Sequence, residues 1–121
     1  MSWLTPFTDV ECCDIVTVGR KSGQPRKTEL WFGVVGDTLI LVSGTGHSDW
    51  RENLLANASV DVHIEGNVRS GTARLVTDAD ERRAFGEVME AKYDWEGDPS
   101  IGLTRHAWCY EVPVVAISNW R

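Results

Sequence analysis

The chain has 121 residues, 42% of them apolar and 25% charged, and its 12 basic against 18 acidic side chains leave a formal net charge of −6. This length suits one domain with one core, and the composition is that of a folded globular protein rather than a disordered one. The acidic balance argues against a nucleic-acid or anionic-membrane surface, no window reaches the ~18 apolar residues of a membrane span, and residues 1–14 lack a basic head followed by an apolar run, which predicts a cytosolic protein.

Residues 14–18 form a short run rich in β-branched side chains that ends at Gly19, and they predict a first strand. Residues 28–35 supply a second strand and residues 38–42 a third, with the Gly36-Asp37 turn pairing them as an antiparallel hairpin. Residues 43–48 are too small and flexible for regular structure, and residues 49–57 then read as a helix. Ser48 or Asp49 can cap that helix, Asp49 with Glu52 as a capping box, and Trp50, Leu54 and Asn57 share one face. Val60, Val62 and Ile64 alternate with Asp61 and His63, and the turn at residues 65–67 leads into a strand over 68–76, giving a second hairpin.

Residues 78–93 read as an amphipathic helix with Ala84, Phe85, Val88 and Met89 on its apolar side. Residues 94–104, with Gly97, Pro99 and Gly102, predict a loop, and residues 107–117 a last strand in which Pro113 marks a bend, a bulge or an edge. The elements predict a mainly β (α+β) domain over residues 1–121, a six-stranded antiparallel barrel with two or more short helices. A ferredoxin-like layer is the alternative.

Cys12, Cys13 and Cys109 are odd in number and lack CxxC spacing, so the pattern points to reduced thiols rather than a disulfide framework or a zinc site. His47, His63 and His106 have no carboxylate or cysteine at ligand spacing, which argues against a metal. Neither a G-x-S-x-G elbow nor a Cys-His signature supports nucleophilic catalysis.

Against the acidic average, Arg20, Lys21, Arg26 and Lys27 fall together, and no Asp or Glu lies between Asp14 and Glu29. The loop Gly19-Arg20-Lys21-Ser22-Gly23-Gln24-Pro25-Arg26 suits an anion: glycines admit close backbone approach, while Ser22, free amides and the cations supply donors and charge. The same composition fits an ordinary solvated hairpin connection, and the loop alone does not decide. A second glycine-rich stretch, Ser43-Gly44-Thr45-Gly46-His47-Ser48, runs into a helix N-terminus, where amides and dipole also favour an anion.

Thr17-Val18-Gly19-Arg20-Lys21-Ser22-Gly23-Gln24-Pro25-Arg26-Lys27-Thr28, followed by Gly36-Asp37, Ser43, Trp50, Asn53-Leu54 and Ala56-Asn57, resembles the deazaflavin-dependent nitroreductases, a family of the split-barrel flavin-binding superfamily that includes the pyridoxamine-phosphate oxidases. The resemblance implies a split β-barrel that binds coenzyme F420, an 8-hydroxy-5-deazaflavin, and passes a hydride to a quinone, an enone or a nitro compound. It implies that Arg20, Lys21, Ser22, Gly23 and Arg26 hold the acidic tail of the cofactor, with Ser43, Gly44, Thr45, Trp50 and Asn53 beside it.

Ser43-Gly44-Thr45-Gly46 lacks the basic residue that family members commonly carry after the serine. An FMN-dependent relative and a non-catalytic cofactor carrier are the alternatives. No catalytic residue stands out, although Tyr93, Tyr110 and His106 are candidate proton donors, each also explicable as a packing or surface residue. Of Trp3, Trp31, Trp50, Trp95, Trp108 and Trp120, most read as core, and Trp50 alone falls within the resemblance. A homodimer enclosing the cofactor near its interface is expected, because so short a chain has little surface of its own for a large ligand.

Overall fold

In the computed structural model, which describes residues 2–43 and 48–121, alternating burial along the strands sets the architecture. From β1 (Cys12–Val18), Cys13, Ile15 and Thr17 are buried while their neighbours are half-buried or exposed. Next come β2 (Pro25–Val35), β3 (Thr38–Val42), α1 (Asp49–Ala56), β4 (Ser59–Ile64), β5 (Asn67–Leu75) and α2 (Ala79–Lys92). A two-residue pair, β6 (Gly97–Asp98) and β7 (Leu103–Thr104), precedes α3 (Arg105–Tyr110) and β8 (Val114–Ser118).

Six strands close an antiparallel barrel in the order β1-β2-β3-β8-β5-β4, with β4 returning to β1. The expected mainly β, six-stranded barrel is the fold found, with three short α-helices around it among the described residues. Both expected hairpins are present, β2 with β3 and β4 with β5. β1 and β2 reach further than expected, since pairing runs from Cys12↔Trp31 to Val18↔Pro25 and carries the ladder up to the basic loop.

The single expected core divides into two layers. Inside the barrel, Ile15, Phe32, Leu39, Leu41, Val62 and Ile117 are fully buried, and Leu4, beside a short 3-10 turn at Thr5–Phe7, joins them. The opposite faces of β3 and β8 are buried too: Ile40, Val42, Val114 and Ala116 pack against Phe85, Met89, Trp108 and Cys109 of α2 and α3. Burial on both faces explains why these strands read as continuous apolar runs, each large side chain contributing roughly 1.5–3 kcal/mol.

The apolar run over residues 107–117 is a correction, since its first part is α3 and only Val114–Ser118 is a strand. Thr104 accepts from the Ala107 backbone N–H as an N-cap, and Pro113 separates helix from strand. The expected capping box on Asp49 does not form: Ser48 is the N-cap of α1, its carbonyl accepts from Glu52 N–H, and its hydroxyl bonds Ser43 instead. In α2 the expected apolar side is shifted, with Phe85, Gly86 and Met89 buried and Ala84 exposed.

Candidate functional site

The β1–β2 loop is folded back on itself by local bonds. Gly19 N–H donates to Gln24 O at 2.8 Å, Gly23 N–H donates to Gly19 O at 2.8 Å, and Gln24 N–H donates to Ser22 Oγ at 3.1 Å. A Cβ at Gly19 would stand 2.7 Å from Ser22 Oγ, and Gly23 sits at φ 71°, so both glycines are demanded by the turn.

Non-local bonds fix the loop against α1. Asn53, only 4% exposed, accepts at Oδ1 from the Arg20 backbone N–H at 3.1 Å and from Arg20 Nη1 at 2.9 Å, while its Nδ2 donates to the buried Thr17 Oγ1 at 3.3 Å. Arg20 Nη2 reaches Asp49 Oδ1 at 3.2 Å. Strand, loop and helix are thereby joined through one amide side chain.

Between loop and helix lies a cavity of about 410 Å³, lined by Arg20, Lys21, Ser22, Arg26, Trp50 and Asn53 of the expected residues. Gly19, Lys27, Thr28 and Asp49 complete the lining. Lys27 pairs with Asp14 at 3.8 Å, but no hydrogen bond or ion pair within the described residues engages the side chain of the exposed Lys21 or Arg26. Four cations against one acid make the described lining strongly positive in an acidic protein.

The remaining expected positions fall elsewhere. Gly23 lines a separate cavity of about 200 Å³ with Val18, Pro25 and Asp61. Ser43 is fully buried, its hydroxyl 2.7 Å from Ser48 Oγ and accepting from the buried Arg51 Nη1 at 3.2 Å. Gly44 and Thr45 lie outside the described residues. Asp49 lines the cavity and Arg51 is a buried cation, although neither is among the expected site residues. Asp49 borders the motif tryptophan, which was the one local signal; nothing nearby in the chain marks Arg51 for burial.

The family model for F420H(2)-dependent quinone reductases matches residues 5–99. The chain belongs to this family. As a member of the F420H(2)-dependent quinone reductase family it is a deazaflavin-dependent oxidoreductase, and coenzyme F420 is its cofactor.

Solved structures of similar fold include an F420-H2-dependent reductase, at 23% identity over 91% of this chain and 96% of that one, TM-score 0.71. A protein described as a domain-swapped dimer matches at 23% identity over 91% and 81%, TM-score 0.70. A pyridoxamine 5'-phosphate oxidase-like protein from Listeria innocua matches at 19% identity over 98% and 92%, TM-score 0.66.

The cavity fits the acidic tail of F420. Guanidinium and ammonium groups offer charge-assisted donors to phosphate and carboxylate oxygens, and Trp50 adds an apolar edge to the lining.

The three candidate proton donors do not line this cavity. Tyr93 is buried, donating to Glu11 O at 2.6 Å and accepting from Phe32 N–H at 3.0 Å, and desolvation raises its pKa. Its ring stacks on Trp31 at 4.4 Å, so Tyr93 fastens β2 to the end of α2. Tyr110 and His106 line a different cavity of about 470 Å³ with Arg82 and Glu87, and the Tyr110 hydroxyl donates to Glu90 at 3.1 Å.

Proposed function

We propose that this family member reduces quinones with F420H2 and that Lys21, Arg26 and Ser22 take the acidic tail of the cofactor. The supporting observation is the pair of cations, Lys21 and Arg26, that stand over the cavity without a protein partner among the described residues. Cations kept exposed and unpaired beside a concave surface offer donors to an anionic ligand at little desolvation cost.

When bound, the reduced cofactor supplies a hydride. The chain's own residues bind and position. Asn53 and Thr17 hold the loop, Trp50 and the loop backbone shape the cavity, and Lys21 and Arg26 anchor the ligand. The proton that completes quinol formation comes from solvent in this reading, because Tyr93, Tyr110 and His106 all stand outside the cavity lining.

The proposal extends to enones and nitro compounds as further acceptors, to one domain over residues 1–121, and to a cytoplasmic homodimer. The solved neighbour described as a domain-swapped dimer supports the dimer, and no helix of the described residues is long and apolar enough to cross a membrane.

Turnover tests the proposal. Purified protein mixed with F420H2 and menadione is followed by the return of oxidised F420 absorbance, with cyclohexenone and a nitroimidazole as the other acceptors. Menadione-dependent oxidation above the protein-free rate is expected. Tight F420 binding with no oxidation by any acceptor would make the chain a cofactor carrier instead.

A further inference from the structure

Two walls of the same cavity are electrostatically unlike. On one, the Arg20 guanidinium is engaged by α1, through Nη2 to Asp49 Oδ1 at 3.2 Å and Nη1 to Asn53 Oδ1 at 2.9 Å, with the Asp49 carbonyl 3.5 Å from Nη1. On the other, the described residues give Lys21 and Arg26 no such partner. Asp49 is the only acid among the described residues of the lining, and its side chain is 79% exposed.

We propose that Asp49 determines which cations of the cavity an anionic ligand reaches. Its carboxylate acts as an internal counter-ion to Arg20, excludes a phosphate or carboxylate from that guanidinium, and directs the ligand's acidic groups onto Lys21 and Arg26. This rests on the reading of the cavity as the site of the cofactor tail.

Two landing places compete for the anion. An anion arriving at Arg20 must break an existing ion pair and lie close to a like charge. One arriving at Lys21 or Arg26 displaces water alone. Because the Asp49 carboxylate is 79% exposed and the Arg20 side chain 25%, the effect on affinity is modest, about two- to fivefold, within the range measured for exposed pairs. Arg20 then serves chiefly as a brace that carries the loop on α1, through its backbone N–H as well as its side chain.

The experiment is a fluorescence titration of the full chain with oxidised F420 and with tail-free 8-hydroxy-5-deazariboflavin. The proteins are the unaltered chain, Asp49→Asn, Asp49→Ser, Asp49→Glu, Arg20→Ala and the double variant Asp49→Asn/Arg20→Ala. Asp49→Asn and Asp49→Ser are expected to bind F420 about two- to fivefold more tightly at low salt, with a gain that shrinks as salt screens the charges. Asp49→Glu, which keeps the charge, gives no gain; the double variant gains less over Arg20→Ala than Asp49→Asn gains over the unaltered chain; and the tail-free ligand binds all Asp49 variants alike. Thermal melts identify any variant that has lost its fold, and the serine variant serves if the asparagine variant does not fold.

F420 binding that neutralising Asp49 leaves unchanged or weakens overturns the proposal while the tail reading stands. An equal gain for the tail-free ligand overturns it as well. Failure of the unaltered chain to bind F420 removes both.

Discussion

Asn53 Oδ1 accepts twice from Arg20, once from the main chain at 3.1 Å and once from the guanidinium at 2.9 Å. A single buried amide thus positions both the backbone and the side chain of the basic loop. Replacing Asn53 with Ala leaves the buried Thr17 Oγ1 and the part-buried Arg20 N–H without this partner, at a cost of roughly 1–3 kcal/mol. The expected outcome is a melting temperature lower by several degrees together with weaker F420 binding. An unchanged melt would show that the brace contributes nothing to the free protein.

Tyr93 predicts a different separation. Tyr93→Phe keeps the stacking on Trp31 but removes the hydroxyl that links Glu11 O and Phe32, so stability should fall by about 1–3 kcal/mol in urea unfolding. Quinone-dependent F420H2 oxidation per folded molecule should persist. Loss of turnover with intact cofactor binding would make Tyr93 a proton donor after all.

Cys13 couples stability to alkaline pH. Its thiol, 3% exposed, has a pKa raised from 9.0 to about 12 by desolvation first and by Asp14 second. The folded state therefore keeps a proton that the unfolded chain gives up. The contribution is fully present below pH 9.0 and is lost as pH rises toward about 12, by about 1.4 kcal/mol per pH unit. Burial raises Tyr93 as well, adding to the loss above its ordinary value of 10.0. Urea midpoints measured across this window should fall less steeply for Cys13→Ala, and a parallel slope would contradict the assignment.

At Gly86, α2 packs tightly against α3. A Cβ there would lie 2.5 Å from the Cys109 carbonyl oxygen and 2.5 Å from the Tyr110 ring. Although alanine is the better helix former, Gly86→Ala should destabilise the fold by about 1–3 kcal/mol, because backbone cannot yield as a side chain tip does. Chemical denaturation reads the sign directly, since helix propensity alone predicts the opposite.

Legibility in the sequence followed the range of the interactions. The hairpins of β2 with β3 and β4 with β5 were readable because alternation and glycine turns are local, and Asp78 accepting from Glu81 N–H caps α2 within one turn. α3 was not readable, because a buried helix and a buried strand share the same short apolar run, and the deciding cap at Thr104 lies outside it. At the site, the loop's charge was explicit in Arg20, Lys21 and Arg26. The clamp from Asn53 across 33 residues, the burial of Ser43 and the pairing of Arg20 with Asp49 arise only when α1 closes over β1.

The most direct measurement is a fluorescence titration of the purified protein with oxidised F420 and with FMN, repeated on Lys21→Ala and Arg26→Ala. Tight F420 binding, weaker FMN binding, and a loss of F420 affinity in each variant without a change in melting temperature are expected. Equal affinity for F420 in the variants and the unaltered chain, or a preference for FMN, would contradict it.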